Sequence, residues 1–154
     1  MSLNRKIFER QIRCILRWAE LESGLVLLSD SAVNLLLGTA AQESAFGKYT
    51  RQLGGGPAVG VFQMEPKTFD WLSAKYAKKF KWLADCVADE MADDICLAII
   101  MCRLRYYVDP LPLPAADDIE GLAKAWKKIY NSELGKGKPE QFIENYNLYV
   151  SKGA

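Results

Sequence analysis

Histidine is absent from all 154 residues. Its absence removes Ser-His-Asp and Cys-His nucleophile pairs along with most imidazole proton transfer, and it takes away a principal zinc ligand. Carboxylates are left as the natural proton handlers. Cysteine is scarce, and Cys14, Cys86, Cys96 and Cys102 follow no metal-ligand spacing. All four are expected to be reduced, with Cys96 and Cys102 behaving as small apolar residues among Leu97, Ala98, Ile99, Ile100 and Met101. No metal and no other cofactor is expected. A charge imbalance is missing too: 20 basic and 19 acidic residues leave a net +1. This gives no global field for nucleic acid, so no such partner is expected. The densest basic run, Lys75, Lys78, Lys79 and Lys81, reads as a solvated face. Long apolar stretches are also lacking. The run 24–28 is too short to cross a bilayer and Asp93, Asp94, Arg103 and Arg105 bracket another short one, so no membrane span is expected. Charge alternates with hydrophobics after Met1–Lys6, and no signal peptide is expected.

Half of the residues are hydrophobic, enough for one globular domain over residues 1–154 with a real core. Ile7, Phe8, Ile12, Ile15, Leu16 and Ala19 recur with helical period and predict an amphipathic helix over 4–21. Ser29-Asp30-Ser31 offers N-caps for a helix over about 30–46. Pro66 starts a helix to about 78, and residues 89–108 read as a central helix buried nearly all round. Asp109-Pro110-Leu111-Pro112-Leu113-Pro114 makes a stiff connector before an amphipathic helix over 116–131, with Ile119, Leu122, Ala123, Trp126 and Ile129 on its packed side, and Pro139 opens the last helix. The fold class is mainly α, with a small β-hairpin or irregular loop over 48–63.

Glu43 is the residue that asks for an explanation. Val33, Leu36, Leu37, Ala40 and Ala41 form an apolar helix face, and Glu43 lies three residues past Ala40, on or beside it. Burial there disfavours the ionised carboxyl and raises its pKa, which suits a general acid. Gly47 is the expected left-handed helix cap, Gly54-Gly55-Gly56-Pro57 forces a tight loop, and Gly60-Val61-Phe62-Gln63 returns with a neutral amide. An isolated acid beside small residues, an amide and an aromatic wall fits a polar, uncharged chain such as a sugar polymer.

Gln42-Glu43-Ser44-Ala45-Phe46-Gly47 resembles the catalytic-glutamate motif of goose-type lysozymes and soluble lytic transglycosylases. Gly60-Val61-Phe62-Gln63-Met64 resembles their second motif, and Ile129-Tyr130-Asn131 resembles a third, in order across about residues 30–135. The glycine-rich loop and small size are most similar to phage-encoded members. The resemblance implies a lysozyme-like fold whose cleft binds peptidoglycan glycan strands and cuts the β-1,4 bond between N-acetylmuramic acid and N-acetylglucosamine. It implies Glu43 as general acid, Ser44 beside it, Tyr130 bonded to the Glu43 carboxyl, and Gln63 and Asn131 on sugar groups, with Gly60 and Phe62 completing the site. It further implies a monomer made in the bacterial host cytoplasm and acting at the cell wall, as an endolysin or a virion-associated enzyme.

Glu65 divides the resemblance. Its place two residues after Gln63 matches the acid of goose-type lysozymes, implying a base that activates water, whereas Pro66 matches the transglycosylase branch, which has no acid at position 65 to activate water and forms 1,6-anhydromuramic acid ends. Hydrolysis is the expected outcome. A non-catalytic virion or wall-binding protein of the same fold is the competing reading.

Overall fold

The computed structural model describes residues 2–131 and 134–152; Met1 and residues 153–154, the ends of the expected domain, lie outside the described residues. The chain is mainly helical. Its α-helices are α1 (Arg5–Ser23), α2 (Asp30–Ser44), α3 (Pro66–Tyr76), α4 (Ile95–Tyr107), α5 (Ile119–Ala125) and α6 (Pro139–Tyr146). Two 3-10 turns, Lys81–Asp85 and Ala88–Ala92, lie between α3 and α4, and π turns Trp126–Asn131 and Asn147–Ser151 prolong α5 and α6. Among the described residues there is no strand. The expected hairpin region is an irregular loop with two isolated antiparallel bridges, Arg51 with Val59 and Val59 with Met64.

Helix ends follow their capping chemistry. Asn4 Oδ1 accepts from Ile7 N at 3.0 Å and Ser29 Oγ from Ala32 N at 3.0 Å, fixing the starts of α1 and α2. The long helix expected from residue 89 begins only at Ile95, because Asp94 Oδ1 takes Leu97 N at 3.0 Å while the chain before it is wound as a 3-10 turn. That turn is held by Val87 N donating to Glu90 Oε2 at 2.7 Å.

Two helices form the centre. Val33, Leu35, Leu36, Leu37 and Ala40 of α2 are fully buried, and α4 buries every residue from Leu97 to Leu104. Such all-round apolarity marks helices with neighbours on every side. α6 approaches α2 at Gly38, where a Cβ would stand 2.2 Å from Phe142 Cζ, so the absence of a side chain lets the Phe142 ring lie on the helix. Asn145 Nδ2 donates to Gln42 Oε1 at 2.8 Å beside that contact.

Arg103 is the polar exception on α4. Its guanidinium is buried, its Nε donates to Leu27 O at 2.7 Å, and it lies over the Tyr107 ring. Glu20 Oε2 accepts from Leu27 N and Leu28 N, both at 2.9 Å, so the α1–α2 connection is held from both sides. The four cysteines are free thiols. Cys102 is buried as expected, but Cys96 is exposed, because the first turn of α4 stands out from the core.

Candidate active site

Helix α2 ends in a hook that fixes its last turn. Ala45, Phe46 and Gly47 are all left-handed, with φ of 49°, 60° and 83°. Only the glycine adopts that conformation freely, and each of the others costs about 1–3 kcal/mol. The expected glycine cap is therefore displaced, since Ala45 caps the helix two residues before Gly47. Burial of Phe46 offsets the strain: its ring packs edge-on against Phe8 at 5.5 Å and stacks on Tyr149 at 6.0 Å. Leu3 N donates to Phe46 O at 2.8 Å, and Ser44 Oγ accepts from Gly47 N at 2.8 Å.

The following loop is set by backbone pairing. Val59 and Met64 exchange two hydrogen bonds, of 2.9 and 3.0 Å, around a turn whose corners are Gly60 at φ 85° and Gln63 at φ 48°. Gly60 N donates to Thr50 O at 2.7 Å, and a Cβ there would meet Met91 O at 2.7 Å. Position 60 thus admits only glycine. Among the described residues, the non-glycine residues with positive φ are Ala45, Phe46 and Gln63, all within this hook and loop. Strain gathers where a site has to be held.

Between hook, loop, α3 and the π turn opens a cleft of about 610 Å³. Glu43, Gln63, Glu65, Tyr130 and Asn131 line it together with Tyr49, Gln52 and Arg105. Residues from three separate stretches of sequence meet there. The Glu43 carboxyl accepts a hydrogen bond from Trp126 Nε1 at 2.9 Å. Burial pushes its pKa up from the ordinary 4.5 to about 7, against the opposing pull of the Trp126 donor, which favours the ionised form. Near neutrality the group both holds and releases a proton.

The π turn orients the opposite wall. A π segment places successive side chains differently from an α-helix and is frequent at functional sites. Here it carries Trp126, Tyr130 and Asn131. The Tyr130 hydroxyl donates to Phe62 O at 2.7 Å, so it anchors the loop rather than the Glu43 carboxyl expected to receive it. Its ring stacks on Tyr106 at 5.4 Å, and Tyr106 in turn shares a 2.8 Å hydrogen bond with Thr39. Burial raises the Tyr130 pKa well above 10, keeping the hydroxyl a donor. Asn131 Oδ1 accepts from Lys127 Nζ at 2.8 Å.

Three expected contact residues do not line the cleft. Ser44 is buried with its hydroxyl bonded to Ala40 O at 3.1 Å and to Gly47 N, because the hook needs that hydroxyl. Gly60 is packed on Met91, and Phe62 is a core ring 6.1 Å from Phe8 that offers only its carbonyl, to Tyr130. Gln63 does face the cleft, with Nε2 donating to Gly60 O at 2.9 Å. Glu65 occupies the N-cap position of α3 without capping it, half-exposed, its Oε2 3.7 Å from Lys67 Nζ.

Trp126 is the residue that sequence reasoning assigned to packing alone. It is a core residue, tilted against Phe142 at 5.8 Å, and also the donor to Glu43. Its place four residues before Tyr130 on one helical face was the available signal.

No family model matches the chain, and neither a curated protein nor a solved structure matches it.

Proposed function

We propose that the protein is a peptidoglycan-cleaving glycosidase, a muramidase of lysozyme-like fold that cuts between N-acetylmuramic acid and N-acetylglucosamine. The observation that carries the reading is Glu43: one largely desolvated carboxyl, pKa about 7, opening on a cleft lined with polar side chains. In its protonated form it donates to the leaving glycosidic oxygen, and the Trp126 indole then stabilises the carboxylate left behind. Gln63 and Asn131 offer amides to hydroxyl and acetamido groups, while Arg105 and Lys67 put positive charge beside the cleft for the anionic parts of a wall polymer. The reaction is completed by water, with Glu65 on the wall as its base.

A second reading rests on the position of Glu65. Its carboxyl is half-exposed and turned to Lys67, an arrangement that leaves the muramic acid 6-hydroxyl as the competing nucleophile and yields 1,6-anhydro ends. Digestion of purified peptidoglycan with mass spectrometry of the new sugar ends separates the two. Reducing muramic acid ends are expected; exclusively 1,6-anhydro ends would replace hydrolysis by transglycosylation. Intact glycan after prolonged digestion by folded protein would leave a non-catalytic wall-binding protein.

A further inference from the structure

Helix α1 has two apolar stripes. Phe8, Ile12, Leu16 and Ala19 face the core, whereas Ile7, Cys14, Trp18 and Leu21 recur at seven-, four- and three-residue steps along the outer surface. The outer stripe is open: Leu21 is 80% exposed, and Ile7 and Trp18 are each 48% exposed. Lys6, Arg10 and Arg17 run along one flank of it, also exposed, and none of them pairs with an acid among the described residues.

The 3-10 turn after α3 extends this surface. Trp82 lies 6.1 Å from Trp18, and its Nε1 donates to Glu22 Oε2 at 3.0 Å, which ties the turn to the end of α1. Lys78, Lys79 and Lys81, exposed on or beside that turn, thereby join the cations of α1 around a pair of tryptophans. In a chain of net charge +1 this is a local concentration of positive charge, against which stand two exposed acids, Glu22 of the helix and Asp85 of the turn.

We infer that the outer face of α1, with the Trp82 turn, is a docking surface for an anionic lipid bilayer, on which the helix lies in the interface plane. A cationic flank beside exposed Trp, Leu and Ile is the arrangement that seats a helix among headgroups and upper acyl chains. Among the described residues no helix is long and apolar enough to cross a membrane, and the attachment proposed is peripheral. The charge pattern decides against the other occupants. A second copy would bring its own excess of cations against this one, and an anionic polymer would satisfy the lysines and arginines but leave Leu21 and Trp18 in water.

The test uses the full chain with vesicles of phosphatidylglycerol mixed with phosphatidylcholine, against phosphatidylcholine alone, read by flotation and tryptophan emission. Binding to the anionic vesicles with a blue shift is expected, weakening with salt and by about fivefold for each cation removed in Arg10→Gln and Arg17→Gln. Leu21→Glu should abolish attachment, and Trp18→Phe should retain it while losing most of the shift; both sites are exposed, and circular dichroism checks the fold. Absence of binding at low salt would overturn the inference, as would undiminished binding by Leu21→Glu. Dimerisation in sedimentation velocity that Trp18→Glu abolishes would assign the face to a second copy, and tight binding to soluble polyphosphate without a blue shift would assign it to a polymer.

Discussion

Helices α2 and α4 are both buried nearly all round, and each carries one Glu or Arg side chain set into its apolar surroundings. Arg103 on α4 is enclosed: its Nε is bonded to Leu27 O, and a tyrosine ring covers it. Burial lowers its pKa from the ordinary arginine value, but a guanidinium keeps its charge at physiological pH. Glu43 on α2 has a single donor, Trp126, and a cleft in front of it, and its pKa of about 7 makes its charge conditional. The same cost of burial therefore gives a fixed brace in one helix and a titrating acid in the other. The difference lies in the chemistry of the ionisable group and in whether solvent or substrate reaches it.

The comparison breaks most visibly at Glu43. Glu43→Gln keeps the shape and removes the proton, so lysis of peptidoglycan should fall by about 10²–10⁴-fold with circular dichroism unchanged. Appreciable lysis by the folded variant would return Glu43 to a structural role.

Next in size is the pH dependence of stability. A glutamate whose pKa is raised on folding contributes stability that is full below about 4.5 and is lost as pH climbs through about 7. Relative to Glu43→Gln, the parent protein should lose about 3 kcal/mol between acid and mildly alkaline pH. Parallel denaturant titrations at the two ends would show it, and equal differences at both pH values would contradict the buried acid.

Arg103→Met tests the other helix. It retains the apolar stem but leaves Leu27 O without its donor, so a stability loss of about 1–3 kcal/mol is expected with specific activity unaltered. Lost activity in a stable variant would put Arg103 in the site rather than in the frame.

The smallest effect sharpens the contrast. Trp126→Phe removes the donor that favours ionised Glu43, so the alkaline limb of the activity profile should move to higher pH. An unmoved limb would mean that the indole packs without tuning the acid.

The Glu43 half of this contrast was legible in the sequence, because an apolar helix interrupted by one carboxylate is a strong signal, whereas Arg103 read only as a charge bracketing an apolar run and is buried. The start of α2 followed from Ser29, and α6 began at Pro139 as expected. What failed was local. A single π turn has no residue pattern of its own by which to know it, so Trp126–Asn131 read as plain helix and Trp126 as core. Ser44, Gly60 and Phe62 belong to conspicuous motifs, but they build the hook and loop that hold Glu43 and Gln63 in place, and a linear motif does not separate support from contact. The hook escaped notice because strain at Ala45 and Phe46 is imposed by tertiary packing, against the preference of either residue.

That hook gives the protein a thermal weak point distinct from its melting temperature. The turn at residues 45–47 is secured in part by the extended segment before α1, through Leu3 N on Phe46 O and Ser2 Oγ on Ala45 O at 3.1 Å. A non-helical segment held by so few bonds opens at lower free energy than core helices do. Once residues 2–3 detach, Ala45 and Phe46 are free to relax toward right-handed geometry, and Glu43 loses its alignment while α2 and α4 remain folded. Warming should accordingly extinguish activity reversibly below the cooperative transition, with the Phe46 amide exchanging its hydrogen ahead of those of the neighbouring helices. Cold working conditions would keep that segment latched.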